Sequence, residues 1–411
     1  MDKKKWALFA LASIPLMMTL GNSMFIPVLP TIEKELNISP FQSSLVITVY
    51  SVVAIPLIPV AGYLSDKFGR KKVMIPSLII TGIGGGLAAF AAWKIDEPYI
   101  MILVGRFLQG IGAAGAFPVV IPTVGDLFKD KEEVTKGLGI IETSNTFGKV
   151  LSPILGSLLA FLIWYVPFIA VPILSAISIL LLLLFVHAPK QEKKQEDLKH
   201  FVHKIKKVFH YNGHWLTATF LIGCLNMFVL FGFLFNLSEQ LELRFEIESV
   251  MKGVLLAVPL LVLCTASFVT GKKVGKNQKV MKWFIFIGNA GSGIGLVFLR
   301  SNMTLVWTLI LLAVAGLGIG ISLPCLDALI TEGIKKDIRG TITSLYSSMR
   351  FIGVALGPPI IAIMLKSLST YIYLLLGGLS MIAAIITFLW IRPDSKTQSE
   401  KGMEKGVKST T

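Results

Sequence analysis

The sequence predicts an all-α polytopic membrane protein, with twelve transmembrane helices in two halves of six, and three observations predict it. The 411 residues are 54% hydrophobic and only 15% charged, more apolar surface than a soluble core of this length could hide. Apolar stretches of spanning length, about 20 residues each, recur along the chain. Lys and Arg collect in every second connection between them, as membrane topology demands.

Lys3, Lys4 and Lys5 precede the first apolar run, 6 to 29, an opening shared with secretory signals. That run continues through Phe25 to Pro30 without a small-residue cleavage site, so a retained first helix is expected. The next stretches are 42 to 64, 73 to 93, 98 to 124, 138 to 161 and 165 to 187, the last following so closely that the turn at Trp164 must be short. The longest polar break is 188 to 213, and six more stretches follow it: 214 to 237, 250 to 270, 282 to 300, 304 to 330, 341 to 366 and 371 to 391. After Arg392 there is almost nothing to bury, and disorder is expected. The organisation is therefore 1–187 for one half, 188–213 for a linker, 214–391 for the second half and 392–411 for a tail.

Bases gather at Lys3 to Lys5, around Arg70, at Lys129, Lys131 and Lys136, in 190 to 207, in Lys272 to Lys282, and at Lys335, Lys336 and Arg339. With twelve spans all of these share one face. The other face holds Glu33, Glu35, Asp96, Glu97, Glu239, Glu242, Glu246 and Glu248. A multi-pass protein of the cell membrane with both termini in the cytoplasm is expected. The formal net charge of +15 lies in these short clusters, not on one soluble face, which argues against nucleic acid as a partner.

Within the linker Leu198, Phe201, Val202, Ile205, Val208 and Phe209 recur at helical spacing opposite Lys199, Lys204, Lys206 and Lys207. A basic amphipathic helix on the inner membrane surface is expected. His200, His203, His210 and His214 also lie here, but no carboxylate or cysteine completes a ligand set, so no metal site is expected. Cys224, Cys264 and Cys325 sit in apolar runs without C-x-x-C spacing and read as core residues.

The loop from Gly62 to Val73 packs Asp66 among Lys67, Arg70, Lys71 and Lys72, with Gly62 allowing close helix approach and Gly69 a left-handed turn. It resembles the G-x-L-a-D-r-x-G-r-k-x motif between the second and third helices of the major facilitator superfamily of secondary transporters. The resemblance implies that family's fold, two pseudo-symmetric six-helix halves, and covers essentially 6 to 391. It also implies a network of Asp66 with Arg70 that Asp126, at the end of the fourth span, is placed to join. This latch is expected only when the outer side is open and the cytoplasmic side closed, with Asp66 facing the start of the eleventh span.

The halves carry a faint repeat. Gly110, Gly112 and Pro118 in the fourth span have the spacing of Gly316, Gly318 and Pro324 in the tenth. Gly271-Lys-Lys-Val-Gly-Lys looks like a worn copy of the 62 to 73 loop without its aspartate. In the fifth span Gly148, Pro153 and Gly156 resemble the g-x-x-x-G-P-x-x-G-G motif of proton-driven drug exporters, with Ser152 and Ser157 in place of two glycines. The eleventh span repeats it as Gly353, Gly357 and Pro358. A packing role and a bearing on transport direction both stay open. The motif in the fifth span favours an exporter.

Arg106 lies inside the fourth span, where a guanidinium costs roughly 2.5 to 3.5 kcal/mol on insertion scales, so it is expected to face a wet or polar interior. Its surroundings resemble the family's l-x-x-x-R-x-x-q-G motif, which implies a part for Arg106 and Gln109 in proton coupling. Asp327 follows Pro324 in an otherwise apolar tenth span, where an unpaired ionised carboxylate is costly; it is expected to carry the proton, or else to partner a base such as Arg350. Glu142 and Arg350 are secondary candidates. Glu142 and Lys149, seven residues apart, share a helix face and could simply line the cytoplasmic mouth. Asn22, Gln109, Asn145, Asn226, Met227 and Phe231 are candidates for a substrate cavity, although lipid-facing packing fits the Met and Phe of the seventh span equally well.

The function expected is a secondary active transporter working as a monomer, a proton antiporter exporting hydrophobic or amphipathic compounds as in multidrug efflux. A dedicated exporter of one metabolite, such as a siderophore or a lipid precursor, is the alternative. A membrane-embedded lipid enzyme ranks behind both, since clusters of His and acids at one membrane face are missing, and a non-transporting receptor would not need Asp66, Arg106 or Asp327. No Walker-type loop appears, so direct ATP drive is disfavoured; a proton gradient as the energy source is what the resemblance implies, and no cofactor is expected.

Overall fold

A bilayer offers backbone amides no water, so a chain this apolar must satisfy them within helices. The computed structural model describes residues 2–128, 131–186, 198–274, 277–300, 302–334 and 336–391, with side-chain surroundings left undescribed at 2, 3, 131, 132, 135, 198–212 and 336–338. Among the described residues there is no strand, and twelve helical segments are long and apolar enough to cross a membrane. These are Lys4–Leu36, Pro40–Phe68, Arg70–Lys94, Tyr99–Leu127, Lys136–Leu162, Val166–Phe185, Gly213–Leu243, Ser249–Lys273, Gln278–Phe298, Leu305–Gly333, Arg339–Ser367 and Ser369–Trp390, called here the first to twelfth spans. An even number returns the chain to the side it started from. That side is the terminal face, and the opposite one the far face.

Two elements differ from the sequence reading. The first span runs beyond 29 to Leu36, its helix changing to a short 3-10 turn at Ile26–Val28, where Pro27 removes a backbone donor. Apolarity stops at Glu33, but the helix does not, because Glu33 and Lys34 find partners in other spans. Leu198–Leu243 is one unbroken helix of 46 residues, so the expected surface helix is continuous with the seventh span; the lipid-facing side expected of it lies outside the described side chains. No proline interrupts this stretch.

The repeat has a physical counterpart. A Cβ on Gly110 would sit 2.5 Å from the Tyr50 carbonyl of the second span, and one on Gly316 would sit 2.4 Å from the Pro259 carbonyl of the eighth. Gly112 likewise meets the third span at the Ser77 carbonyl, and Gly318 the ninth at the Gly288 carbonyl. Equivalent glycines thus let equivalent helices touch in each half. Between the halves, the second span packs on the eleventh and the fifth on the eighth. Thr48 Oγ1 of the second span donates to the Ala355 carbonyl of the eleventh at 2.9 Å.

Candidate functional site

Between the halves lies a cavity of about 660 Å³, counting its open mouth. The first span lines it with Met18, Thr19, Asn22 and Ser23, the second with Tyr50, the fourth with Phe117 and the fifth with Asn145 and Lys149. Met227 and Phe231 of the seventh span, and Ser347, Arg350, Phe351 and Val354 of the eleventh, complete the wall. On the far side Ile26, Leu230, Leu234, Leu256 and Leu260 pack around a narrow apolar void. Toward the terminal face Asp327 keeps 38% of its side chain accessible and Glu142 is exposed. At the far end the first and seventh spans are joined by Ser238 Oγ donating to the Ile26 carbonyl, while the accessible acids lie toward the terminal end.

The cavity's two lining bases, Lys149 and Arg350, interact with two acids beyond the wall, Asp327 and Glu142. Arg350 Nη1 lies 3.7 Å from Asp327 Oδ1, and Glu142 and Lys149 are within electrostatic reach of Asp327. Asn145 Nδ2 donates to Glu142 Oε1 at 3.3 Å and its Oδ1 accepts from Thr19 Oγ1 at 2.6 Å, which ties the fifth span to the first beside the cavity. Lys149 therefore sits in the centre of the site and not at a mouth. Both bases line the wall, while Tyr50, Phe117, Phe231 and Phe351 supply ring faces around them.

Arg106 is fully buried and faces a polar interior, one of the two surroundings expected of it. Its cost of burial is offset by hydrogen bonds from four of its five N–H groups: Nε to the Val46 carbonyl at 2.6 Å, Nη1 to the Gly21 carbonyl at 2.8 Å and to Gln109 Oε1, and Nη2 to Asn22 Oδ1 at 2.7 Å. The Phe25 and Tyr50 rings lie against it, each 4.7 Å from the guanidinium carbon. It reaches the cavity only through Asn22 and Tyr50. Gln109 is absorbed by Arg106 and takes no part in the cavity wall. Asn226 is likewise turned away, donating to Ser322 Oγ at 3.0 Å inside the second half. The neighbouring Phe228, Phe233 and Phe235 are buried in protein, so the seventh span is not a lipid-facing one.

At the terminal face Arg70 Nη1 pairs with Asp66 Oδ1 at 2.5 Å and Nε with Asp126 Oδ2 at 3.0 Å, while Nη1 also donates to Ser65 Oγ at 2.7 Å. Gly69 has φ 102°, the conformation the turn requires. All three residues belong to the first half, and they are paired in the one arrangement this structure holds. Within this motif Gly62 lies against the eleventh span, where a Cβ would be 3.4 Å from Ser344 Oγ.

The fifth and eleventh spans use their motifs for packing. A Cβ on Gly156 would lie 2.0 Å from the Met24 carbonyl of the first span, and one on Gly353 would lie 2.1 Å from the Cys224 carbonyl of the seventh. Gly148 faces Thr19, Gly357 faces the Phe228 carbonyl, and Pro153 and Pro358 lie within the helices beside them.

The sequence pattern of the Major Facilitator Superfamily matches residues 11–358. The chain belongs to that superfamily. A protein of Bacillus subtilis (strain 168) named bacillibactin exporter is 51% identical over 96% of this chain and 98% of its own length. The class C tetracycline resistance protein of Escherichia coli is 27% identical over 91% of this chain and 92% of that protein. Among solved structures, a D-xylose-proton symporter superposes with TM-score 0.76 at 14% identity, covering 95% of this chain and 98% of that one, which shows the shared fold. The major facilitator chain is thus a membrane transporter of twelve spans.

What sequence reasoning missed is the far seam. Glu33, Glu239, Glu242 and Glu248 read as solvated outer acids, yet Glu239 and Glu242 are buried and Glu242 pairs with Lys34 and Lys252. Lys252, a single base within an apolar stretch, was the signal that could have found it.

Proposed function

We propose that this chain exports a siderophore, bacillibactin or a close relative of it, driven by protons moving the other way. The observation that carries the reading is the 51% identity to the bacillibactin exporter, which extends nearly end to end and takes in the whole cavity wall. The sequence reading put multidrug efflux first; a relative named for one compound at this similarity favours the dedicated exporter over the tetracycline resistance proteins at 27% and 24%. The cavity chemistry agrees in kind. Two bases among four rings suit an acidic, ring-bearing molecule better than a cationic drug.

In this reading the terminal face is cytoplasmic, the chain works as a monomer in the cell membrane, and substrate enters the cavity from the terminal side. Asp327 carries the coupled proton, with Glu142 beside it as the next acid on the route. Arg350, shared between Asp327 and the cavity, links proton and substrate. The test is a deletion strain grown under iron limitation, with siderophore measured by mass spectrometry inside cells and in the medium. Siderophore is expected to accumulate inside, fall in the medium, and recover with the wild-type gene but not with Asp327→Asn. Unchanged secretion together with heightened sensitivity to several unrelated drugs would restore the multidrug reading.

A further inference from the structure

We infer that Glu33 and Glu239 form a second proton-binding site, at the far seam between the two halves, and that its proton holds the seam shut. Glu33 belongs to the first span and Glu239 to the seventh, so the site is built across the halves and not within one. Their carboxyl groups lie within hydrogen-bonding reach of each other. A hydrogen bond formed there needs a proton on one of them, because two carboxylates have only acceptors to offer. Ser43 Oγ of the second span donates to Glu33 Oε1, which leaves the Glu239 side as the end without a donor. Glu239 is 2% exposed, and its Oε1 is buried with no hydrogen-bond partner among the described residues.

The cations around the pair are occupied elsewhere. Lys252 of the eighth span, itself 2% exposed, places Nζ 2.6 Å from Glu242 Oε2. Lys34 of the first span places Nζ 2.6 Å from Glu242 Oε1 and 3.0 Å from Glu248 Oε1. Four carboxyl groups therefore face two ammonium groups, and both ammonium groups contact Glu242. Neither Glu33 nor Glu239 is ion-paired among the described residues. If every acid were ionised, two negative charges would remain, adjacent, mostly buried and on opposite halves. One proton shared by Glu33 and Glu239 removes the repulsion at the place where the halves must touch.

The same contact defines what the proton does. Beside the pair, Ser238 Oγ donates to the Ile26 carbonyl at 2.9 Å, so this is a closed seam and not a loose rim. Losing the proton sets two like charges against each other across it, and the arrangement that relieves them is the one with the far side open. Acid at the far face thus favours the closed seam and alkali the open one. Asp327 lies at the other end of the cavity, toward the terminal face, so the two sites titrate from opposite sides. The proposal does not depend on which substrate is carried, and its test needs none.

The test is a spin-label distance between Asp96 and Arg300, exposed far-face positions of the first and second halves, in full-length protein with its three cysteines replaced, in lipid nanodiscs. The parent is expected to hold one short distance at acid pH and to gain a longer population as pH rises. Glu239→Gln keeps a hydrogen bond to Glu33 without a titrating proton, and the longer population is expected to be lost at every pH. Glu33→Gln is expected to do the same, which keeps the test open if one variant folds poorly. Asp327→Asn is expected to retain the pH response. A parent distance that ignores pH, a Glu239→Gln variant that still responds, or a response abolished by Asp327→Asn would each overturn the site.

Discussion

Gly253 of the eighth span faces the carbonyl of Pro153 of the fifth so closely that a Cβ at Gly253 would lie 2.3 Å from that oxygen. The next atoms met are Ser157 Oγ at 2.7 Å and Ser157 Cβ at 2.8 Å, so a backbone and a short side chain, neither free to move aside, define the contact. This is a junction between halves, and only the absence of a side chain closes it. Gly253→Ala is therefore expected to push the halves apart at the far seam, disfavouring the closed arrangement by about 1 to 3 kcal/mol, as overpacking does. The Asp96–Arg300 distance should lengthen in that variant at acid pH. An unchanged distance with a lowered melting temperature would mean that the eighth span, not the seam, absorbs the clash.

Arg106 acts as a structural hub. Arg106→Ala would leave the Gly21 carbonyl and the side chains of Asn22 and Gln109 without this donor in a fully buried site, while the Val46 carbonyl keeps its helical partner. Unsatisfied buried acceptors cost about 1 to 3 kcal/mol each, so a loss of about 3 kcal/mol or more is expected. Arg106→Lys should recover only part of it, since an ammonium cannot reproduce the planar fork. Thermal unfolding of the purified protein in detergent measures both. A melting temperature unchanged by Arg106→Ala would return this residue to the coupling role that the family motif implies.

The terminal-face network predicts an unequal pair. Asp66 is 59% accessible and its bond to Arg70 is screened, so Asp66→Asn should change stability by less than about 1 kcal/mol. Arg70 is 10% accessible and joins Ser65, Asp66 and Asp126 at once. Arg70→Ala should therefore cost distinctly more than Asp66→Asn in the same melting experiment. Equal losses would show that the Asp66 pair carries the network.

Spans were legible because their cause is local: a helix that faces lipid must be apolar along its length, and the twelve stretches show it. The charged loop and the matched glycines were legible for a related reason, since turn geometry and close approach demand particular residues at particular spacings. Asn22 and Asn145 were legible as cavity candidates because polar groups within a span are uncommon, whereas for Met227 and Phe231 the sequence left lipid-facing packing equally open. Gln109 and Asn226 carry the same signal but satisfy Arg106 and Ser322 instead, and a single sequence does not tell a polar group that lines a cavity from one that bonds a neighbour. The far seam was hidden for a converse reason. Glu33 and Glu239 lie at span ends, where acids are ordinarily solvated, and only the juxtaposition of two distant spans buries them.

The central cavity predicts a division of labour between Asp327 and the two bases. Arg350 Nη1 is 3.7 Å from Asp327 Oδ1, a loose pair that an acidic substrate can replace, and Lys149 lies within the same field. Removing a charged hydrogen-bond donor from a binding site costs about 1.5 to 3 kcal/mol, roughly ten- to a hundredfold in affinity. Lys149→Gln and Arg350→Gln are each expected to weaken binding of an acidic siderophore to purified protein by that factor. Asp327→Asn acts the other way on binding, because Arg350 loses its competitor, so affinity should hold or rise. Export against a gradient should nonetheless stop in Asp327→Asn, since a neutral amide takes no proton. Calorimetric titration separates the first effect from the second, which vesicles with an imposed proton gradient report. If Asp327→Asn still concentrated substrate at the parental rate, the proton would have to travel through Glu142, and Glu142→Gln would become the variant that abolishes export.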